Sequence, residues 1–444
     1  MTTGPFAWAP PMNAALPYVL TEDHRVTMMT MTPTNPFPTE HVDDTDVRVL
    51  LLENIHADGA EFLRGKGYQV ETVDRALAED ELIEAVQGVH LLGIRSTTYI
   101  TEKVLTSAPD LLAIGAFCIG TNQIDLPATT RQGVAVFNAP YSNTRSVVEL
   151  AIAEIISLAR RLHEKSTDMH AGIWNKSAAG SHEVRGRTLG IVGYGNIGSQ
   201  LSVIAEALGF KVIFYDIDDK LALGNARRCS TMEELLTEAD VVSLHVDGRP
   251  GNAGLFGEEQ MSLMKPRSLF LNLSRGIAVD PVALRAHIES GHIAGAAVDV
   301  FPVEPKRQGD PFESELRGLR NVILTPHVGG STEEAQQDIG RFVASKLRAY
   351  AAFGGTSLSI NMPEINLPVD TTRHRLAHVH HNAPGVLATI NGILGDHGVN
   401  IDAQSLATRG DIGYVVTDVA DEVGHDVLTE LAKLPETVRL RQLS

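Results

Sequence analysis

The chain has 444 residues, of which 43% are hydrophobic and 5% aromatic, and at roughly 150 residues per domain this length predicts about three domains. Its 37 basic and 55 acidic side chains give a formal net charge of −18, a field that repels nucleic acid and anionic membrane and argues against both as partners. No apolar stretch reaches the roughly 18 residues needed to cross a bilayer. Cys118 and Cys229 are the only cysteines, so a disulfide scaffold is excluded, and two structural thiols in a reducing cytoplasm are expected.

In chain order, residues 1–44 are rich in proline, poor in charge and without apolar period. They read as a disordered tail or a mis-assigned start, with Met1, Met12, Met28, Met29 and Met31 as candidate starts. "DVRVLLLENI" then reads as a buried strand, "ADGAEFLRGKG" as a helix closing on glycine, and "HLLGIRS" and "LLAIGAFCIG" as further strands. Strands alternating with helices predict a parallel sheet. "TRSVVELAIAEIISLARRLHEK" predicts one long helix leading to "RGRTLGIVGYGNIG". There a second alternation opens and continues through "KVIFYD", "VVSLHV", "SLFLNLS", "AGAAVDV" and "NVILTPH". A helix after "TPHVGGST" is long enough to return to the first domain, and from about residue 373 the order strand, helix, strand, strand, helix, strand fits a βαββαβ unit with its helices on one face. The fold class is therefore α/β: two doubly wound parallel-sheet domains, Rossmann-like and flavodoxin-like, plus a C-terminal α+β domain. Residues 45–142 with 330–371 are expected to bind substrate, 143–329 to form the dinucleotide-binding domain, and 372–444 to form the small domain.

"GYGNIG" carries the chemistry of the second domain. Gly193 would allow a tight turn, Gly195 an approach of backbone to pyrophosphate, and Gly198 close packing of helix on strand. The amides of Asn196 and Ile197 would then point from a helix N-terminus at negative charge. Asp216 ends the next strand, 23 positions after Gly193, where a carboxylate accepts bonds from ribose hydroxyls and repels a 2′-phosphate, favouring NAD over NADP.

"GYGNIG", "NLSRG", "DVFPVEP" and "TPHVGGST" together closely resemble the D-isomer-specific 2-hydroxyacid dehydrogenases, and "GIRSTTYIT", "CIGTNQIDL" and "NAPYSNTRSVVEL" resemble a bacterial type ending in one ACT domain. The resemblance runs from about residue 45 to the end. It implies His327 as base for a substrate hydroxyl, Glu304 as the carboxylate orienting its ring, and Arg275 as the fork for a substrate carboxylate. Each alone has a structural alternative: a surface arginine, a loop carboxylate, a strand-end histidine. All three follow strands of one doubly wound domain, where ligands bind.

The resemblance also implies cofactor contacts at His245, Leu273, Ser274, Asp299, Gly329 and Gly330, and substrate contacts at Arg95, Ser96, Gly120, Asn122 and Arg145. Thr97 stands where such relatives often carry a second arginine. His378 and His380 share a strand face, but no third ligand supports a metal, and none is expected. Resemblance to serine-binding ACT domains marks His380, Asn382 and Asn400 for L-serine. The activity implied is NAD-dependent oxidation of D-3-phosphoglycerate, the entry to serine formation, in a cytoplasmic homo-oligomer, expected as a tetramer. Alternatives are a dehydrogenase for another D-2-hydroxy acid such as 2-hydroxyglutarate, and an NAD-sensing corepressor-like binding protein.

Overall fold

Short apolar strands separated by amphipathic helices build three sheets in the computed structural model, which describes residues 46–305, 309–367 and 374–443 together with the backbone of Val26–Thr27. In the first sheet Arg48–Leu51 lies between Gln69–Thr72 and Leu91–Ile94, followed by Ala113–Ala116 and Ala135–Phe137, with every pair parallel. This is the flavodoxin-like order, and its carboxyl edge opens onto loops carrying Glu53, Arg95 and Gly120.

The second sheet has seven parallel strands in the order Arg227–Arg228, Lys211–Tyr215, Thr188–Val192, Val241–Leu244, Ser268–Asn272, Ile293–Val298 and Val322–Leu324. Its winding reverses between Thr188–Val192 and Val241–Leu244, which creates the crevice where such sheets receive ligands. The helix Glu333–Phe353 then packs on Ala57–Arg64 and Ala113–Ala116, back in the first domain.

The single long helix expected before the second sheet is two helices, Thr144–Arg160 and Leu162–His170. Arg161 breaks them apart with a left-handed φ of 55°. The buried carboxylate of Glu164 supplies the reason: desolvated, it needs cations, and Arg161 and Arg320 reach it at 2.8 and 3.2 Å.

In the C-terminal sheet the order is Val26–Thr27, Thr437–Leu443, His374–His381, Ile412–Val419 and Ile401–Arg409, all antiparallel. Helices Val386–Asp396 and His425–Ala432 cover one face, packing Ile390, Leu394, Leu428 and Leu431 on Leu376, Val415 and Leu440. Alternate residues Ala377, Val379, Tyr414 and Val416 enter the core of the first domain beside Phe137, Leu347 and Tyr350. Both faces of the three strands His374–His381, Ile412–Val419 and Thr437–Leu443 are thus largely buried. Arginines complete the contact: Arg441 donates to the carbonyls of Tyr350 and Ala351 at 3.0 and 3.3 Å, and Arg375 to that of Phe353 at 3.0 Å. Cations at the last turn of a helix meet its negative dipole end.

Within residues 1–44, expected as a disordered tail or mis-assigned start, the backbone of Val26–Thr27 pairs antiparallel with Leu443 and Gln442. The edge of Thr437–Leu443 offers backbone donors and acceptors that this short segment takes up. The rest of that tail, and the expected boundary between residues 371 and 372, lie outside the described residues.

Arg375 also grips Asp418 through two bonds of 2.6 and 3.1 Å with both side chains largely buried. Asp418→Ala would strand the guanidinium and should cost about 3–5 kcal/mol, the scale for halving a buried pair. Urea unfolding followed by fluorescence checks this, with an earlier transition for the variant.

Candidate active site

The turn after Thr188–Val192 is shaped by its glycines. Gly193 has φ +92°, and a Cβ there would lie 2.6 Å from the His245 carbonyl oxygen. At Gly198 a Cβ would lie 2.2 Å from the Gly193 oxygen, so helix and strand meet only without one. At Gly195, by contrast, nothing stands within 4 Å. That open approach leads to the N-terminus of helix Asn196–Ala207, which no side chain caps, leaving its amides for an anion. Asp216 accepts from the amides of Tyr194 and Asp218 at 2.7 and 2.9 Å, which ties the end of the second strand to the glycine turn. A dinucleotide fits this cradle: open backbone donors for the pyrophosphate and a carboxylate for a ribose.

Across the crevice His245 follows Val241–Leu244, and its Nε2 lies 2.9 Å from the Ser243 hydroxyl. Burial lowers its pKa to about 4, so the ring is neutral at physiological pH.

His327 Nδ1 lies 2.9 Å from Glu304 Oε2, and the other carboxyl oxygen of Glu304 accepts from the Phe301 amide at 3.0 Å. The hydrogen bond to Glu304 raises the His327 pKa, against the opposing pull of desolvation. Burial works to raise the Glu304 pKa, but the bonds from His327 and the Phe301 amide outweigh it and the net shift is downward. Arg275 acts electrostatically on both groups, lowering each pKa.

Arg275 is seated by its own turn. Asn272 accepts from the Ser274 amide and hydroxyl at 3.1 and 2.7 Å and donates to the Arg275 carbonyl at 3.1 Å. Its Nη2 lies 3.6 Å from where a Cβ on Gly120 would stand, so the cation faces the first domain. There Gln123 donates to the Arg95 carbonyl at 2.6 Å and to that of Gly120 at 3.3 Å, joining the two loops. The Arg95, Thr97 and Thr98 amides all donate to Glu53, at 3.1, 2.9 and 2.8 Å. Ser96 and Asn122 are exposed beside them.

Asp299 is 2% exposed and accepts from Thr325 Oγ1 at 2.6 Å and from the amides of Val328 and Gly329 at 2.8 Å each. It thereby holds the turn bearing His327, whose φ is 54°. Glu154, 3% exposed on the helix Thr144–Arg160, is raised to about 8 by burial and then by the Asp299 charge, so it stays protonated at neutral pH. Gly330 abuts the Asn143 amide, and Leu273 and Ser274 are buried at the turn before Arg275.

The substrate candidates do not all meet. Arg145 is exposed and bound to Glu149 at 2.5 Å. Cys118 is a half-buried thiol pushed up to about 11 by burial, which disfavours the thiolate. Glu53, Gln123, Asn272 and Thr325 were not flagged by the sequence, since side chains that hold loops carry no motif of their own.

In the C-terminal domain His380 is buried with its ring against Gly413, whereas Asn382 and Asn400 are exposed. His380 pairs with Gly413 and Ile401 with Val419, so Asn382 and Asn400 stand at opposite ends of the strand Ile412–Val419. Among the described residues no cluster could hold a metal ion, and no helix is long and apolar enough to cross a membrane.

A histidine bonded to a carboxylate, an arginine turned toward the opposite domain and an uncapped helix N-terminus behind a glycine turn line one crevice, an arrangement suited to a dehydrogenase of 2-hydroxy acids. Residues 152–329 match the family described as D-isomer specific 2-hydroxyacid dehydrogenase, NAD binding domain, and residues 376–439 match an AHAS small subunit-like ACT domain. The chain is 50% identical to D-3-phosphoglycerate dehydrogenase of Escherichia coli over 89% of its own length and 97% of that protein. It is 48% identical to the enzyme of that name from Dictyostelium discoideum, over 93% and 100%. D-lactate dehydrogenase from Aquifex aeolicus, solved with NAD and lactic acid, superposes with a TM-score of 0.61 at 26% identity, covering 71% of this chain and 100% of that one. The chain belongs to the D-3-phosphoglycerate dehydrogenase family. It is an NAD-dependent oxidoreductase.

With its pKa raised, His327 gives up its proton only above the ordinary imidazole value, so alcohol oxidation should fall as pH drops through that raised pKa. Glu304→Gln removes the stabilising charge and should move the acidic limb of kcat/KM to lower pH while reducing the plateau. A pH profile of both proteins checks the direction.

Proposed function

We propose that the chain oxidises D-3-phosphoglycerate to 3-phosphohydroxypyruvate with NAD, the first step of L-serine biosynthesis, in the cytoplasm. The observation that carries this reading is the His327–Glu304 pair, 2.9 Å apart, in a crevice that Arg275 shares with the Arg95 loop of the other domain. Those two arginines supply cations for the two anionic ends of such a substrate, overcoming locally the repulsion of a chain with net charge −18. Full-length relatives that carry this activity in their names support it.

Bound NAD would supply the hydride acceptor, held by the Gly193–Gly198 turn, Asp216 and the nearby Leu273, Ser274 and Asp299. Arg275 clamps the substrate carboxylate through its planar fork and fixes the orientation of C2. Arg95, Ser96 and Asn122 hold the phosphate. His327 accepts the hydroxyl proton as C2 becomes a carbonyl, and Glu304 stabilises the imidazolium that results. Steady-state assays with NAD on 3-phosphoglycerate, D-2-hydroxyglutarate and D-glycerate test the assignment. The phosphorylated acid should give the highest kcat/KM, and preference for another acid would replace it.

Feedback by L-serine is proposed at the ACT domain. The strand Ile401–Arg409 is an exposed edge. Antiparallel pairing of two copies along it would bring Asn400 of one chain to the Asn382 end of the other, joining residues that one chain holds apart. A dimer seam of this kind, doubled in a tetramer, makes serine a bridging ligand that favours one domain arrangement over another. Asn382→Ala and Asn400→Ala should each raise the serine concentration for half-inhibition about tenfold or more, the scale for losing a ligand hydrogen bond. Uninhibited turnover should stay near that of the parent.

A further inference from the structure

The carboxyl end of the first strand, Arg48–Leu51, turns out of the sheet through two consecutive non-glycine residues in left-handed conformation, Glu53 with φ 61° and Asn54 with φ 51°. L-residues adopt this backbone at a cost, and such strain persists where surrounding bonds enforce it. The enforcing bonds are visible. The Glu53 amide donates to the Arg75 carbonyl at 3.2 Å and the Asn54 amide to that of Val73 at 3.4 Å, while Leu52 is tied to Gly93 at 2.8 Å.

This turn aims the Glu53 carboxylate at the neighbouring loop, where it collects the three amides of Arg95, Thr97 and Thr98. Those donors form the kind of backbone concavity that takes an anion. Here an anion of the chain already fills it, so these three amides are not available to a substrate, and the cationic share of recognition at this loop falls to a side chain. With Thr97 in the sequence, Arg95 is the one guanidinium of the segment Arg95–Thr98. Where that guanidinium stands therefore depends on how the loop backbone is held.

We propose that Glu53 is the positioning residue of the substrate loop: by holding the amides of Arg95, Thr97 and Thr98 it directs the Arg95 side chain into the crevice and sets the affinity for the phosphate end of the substrate. The inference rests on the proposed activity toward 3-phosphoglycerate. Glu53 touches no reacting atom, so it acts on binding and leaves proton transfer at His327 alone.

Glu53→Gln preserves shape but replaces one accepting oxygen by an NH2 group facing N–H donors and removes the charge that strengthens all three bonds. It should raise KM for 3-phosphoglycerate about tenfold or more with kcat within about threefold, the pattern of lost uniform binding. NADH affinity, read by fluorescence, should be unchanged. In an Arg95→Ala background the same substitution should add less than about twofold, because the loop then has no guanidinium to direct. A KM within twofold of the parent, additive effects in the double variant, or a joint loss of kcat, NADH binding and melting temperature would each overturn the role. Failure of the unsubstituted enzyme to oxidise 3-phosphoglycerate would instead count against the functional reading. Calorimetric binding of inorganic phosphate to the full chain, with and without Glu53→Gln, would then decide the matter: equal binding, or none, overturns it and weaker binding to the variant supports it.

Discussion

One buried carboxylate organises the catalytic end of the second domain. Asp299 sits at the carboxyl end of its strand and takes three donors from the turn that follows the next strand, Thr325, Val328 and Gly329. Between those donors lies His327, in a backbone conformation that costs of order 1–3 kcal/mol for a non-glycine residue. Hydrogen bonds to a charged group contribute about 1.5–3 kcal/mol each, so three of them hold the strained residue in place with margin. His327 is aimed by a carboxylate bonded to its turn, and Glu304 then bonds its ring and raises its basicity.

The same logic governs how charge is distributed. A chain with 55 acidic residues must keep its crevice from repelling an anion, and it does so by spending carboxylates on internal donors. Asp299 and Glu53 each accept three bonds from backbone amides or a hydroxyl, and Asp216 accepts two while keeping acceptor capacity for a ligand. Glu154, a buried acid without such donors that feels the Asp299 charge, is raised to about 8 and stays neutral. Arg275 remains turned toward the opposite domain, and among the described residues its guanidinium bonds the Ser274 carbonyl, 2.7 Å away.

Both parallel sheets were legible in the sequence because buried parallel strands read as uninterrupted apolar runs, and the glycine spacing marked the turn between the first strand and helix of the second sheet. Arg275, Glu304 and His327 were legible through motifs placed after strands. What escaped was context. The break at Arg161 depends on Glu164, whose need for cations arises only when it is buried. Gln123, Asn272 and Thr325 hold loops through pairings fixed by tertiary structure. The C-terminal sheet was read as a unit with helices on one face, which is correct, but the fate of its other face could not follow from a strand pattern such as "IGYVVTDV", where every residue is buried.

That second face changes what the C-terminal domain is. A module joined by a linker can be cut away, leaving a shorter working enzyme. Here Ala377, Val379, Tyr414 and Val416 share one core with Phe137, Leu347 and Tyr350, and the Tyr414 hydroxyl donates to the Gly354 carbonyl at 2.6 Å. A truncated chain would present that apolar patch, and the bare carbonyls at the end of a 21-residue helix, directly to water. Chaperone capture or precipitation would follow before any question of altered control arose. Heredity has therefore handed this protein an ACT domain that serves as a structural wall, and recombination that swaps such domains between enzymes would have to exchange the wall's mating surface as well.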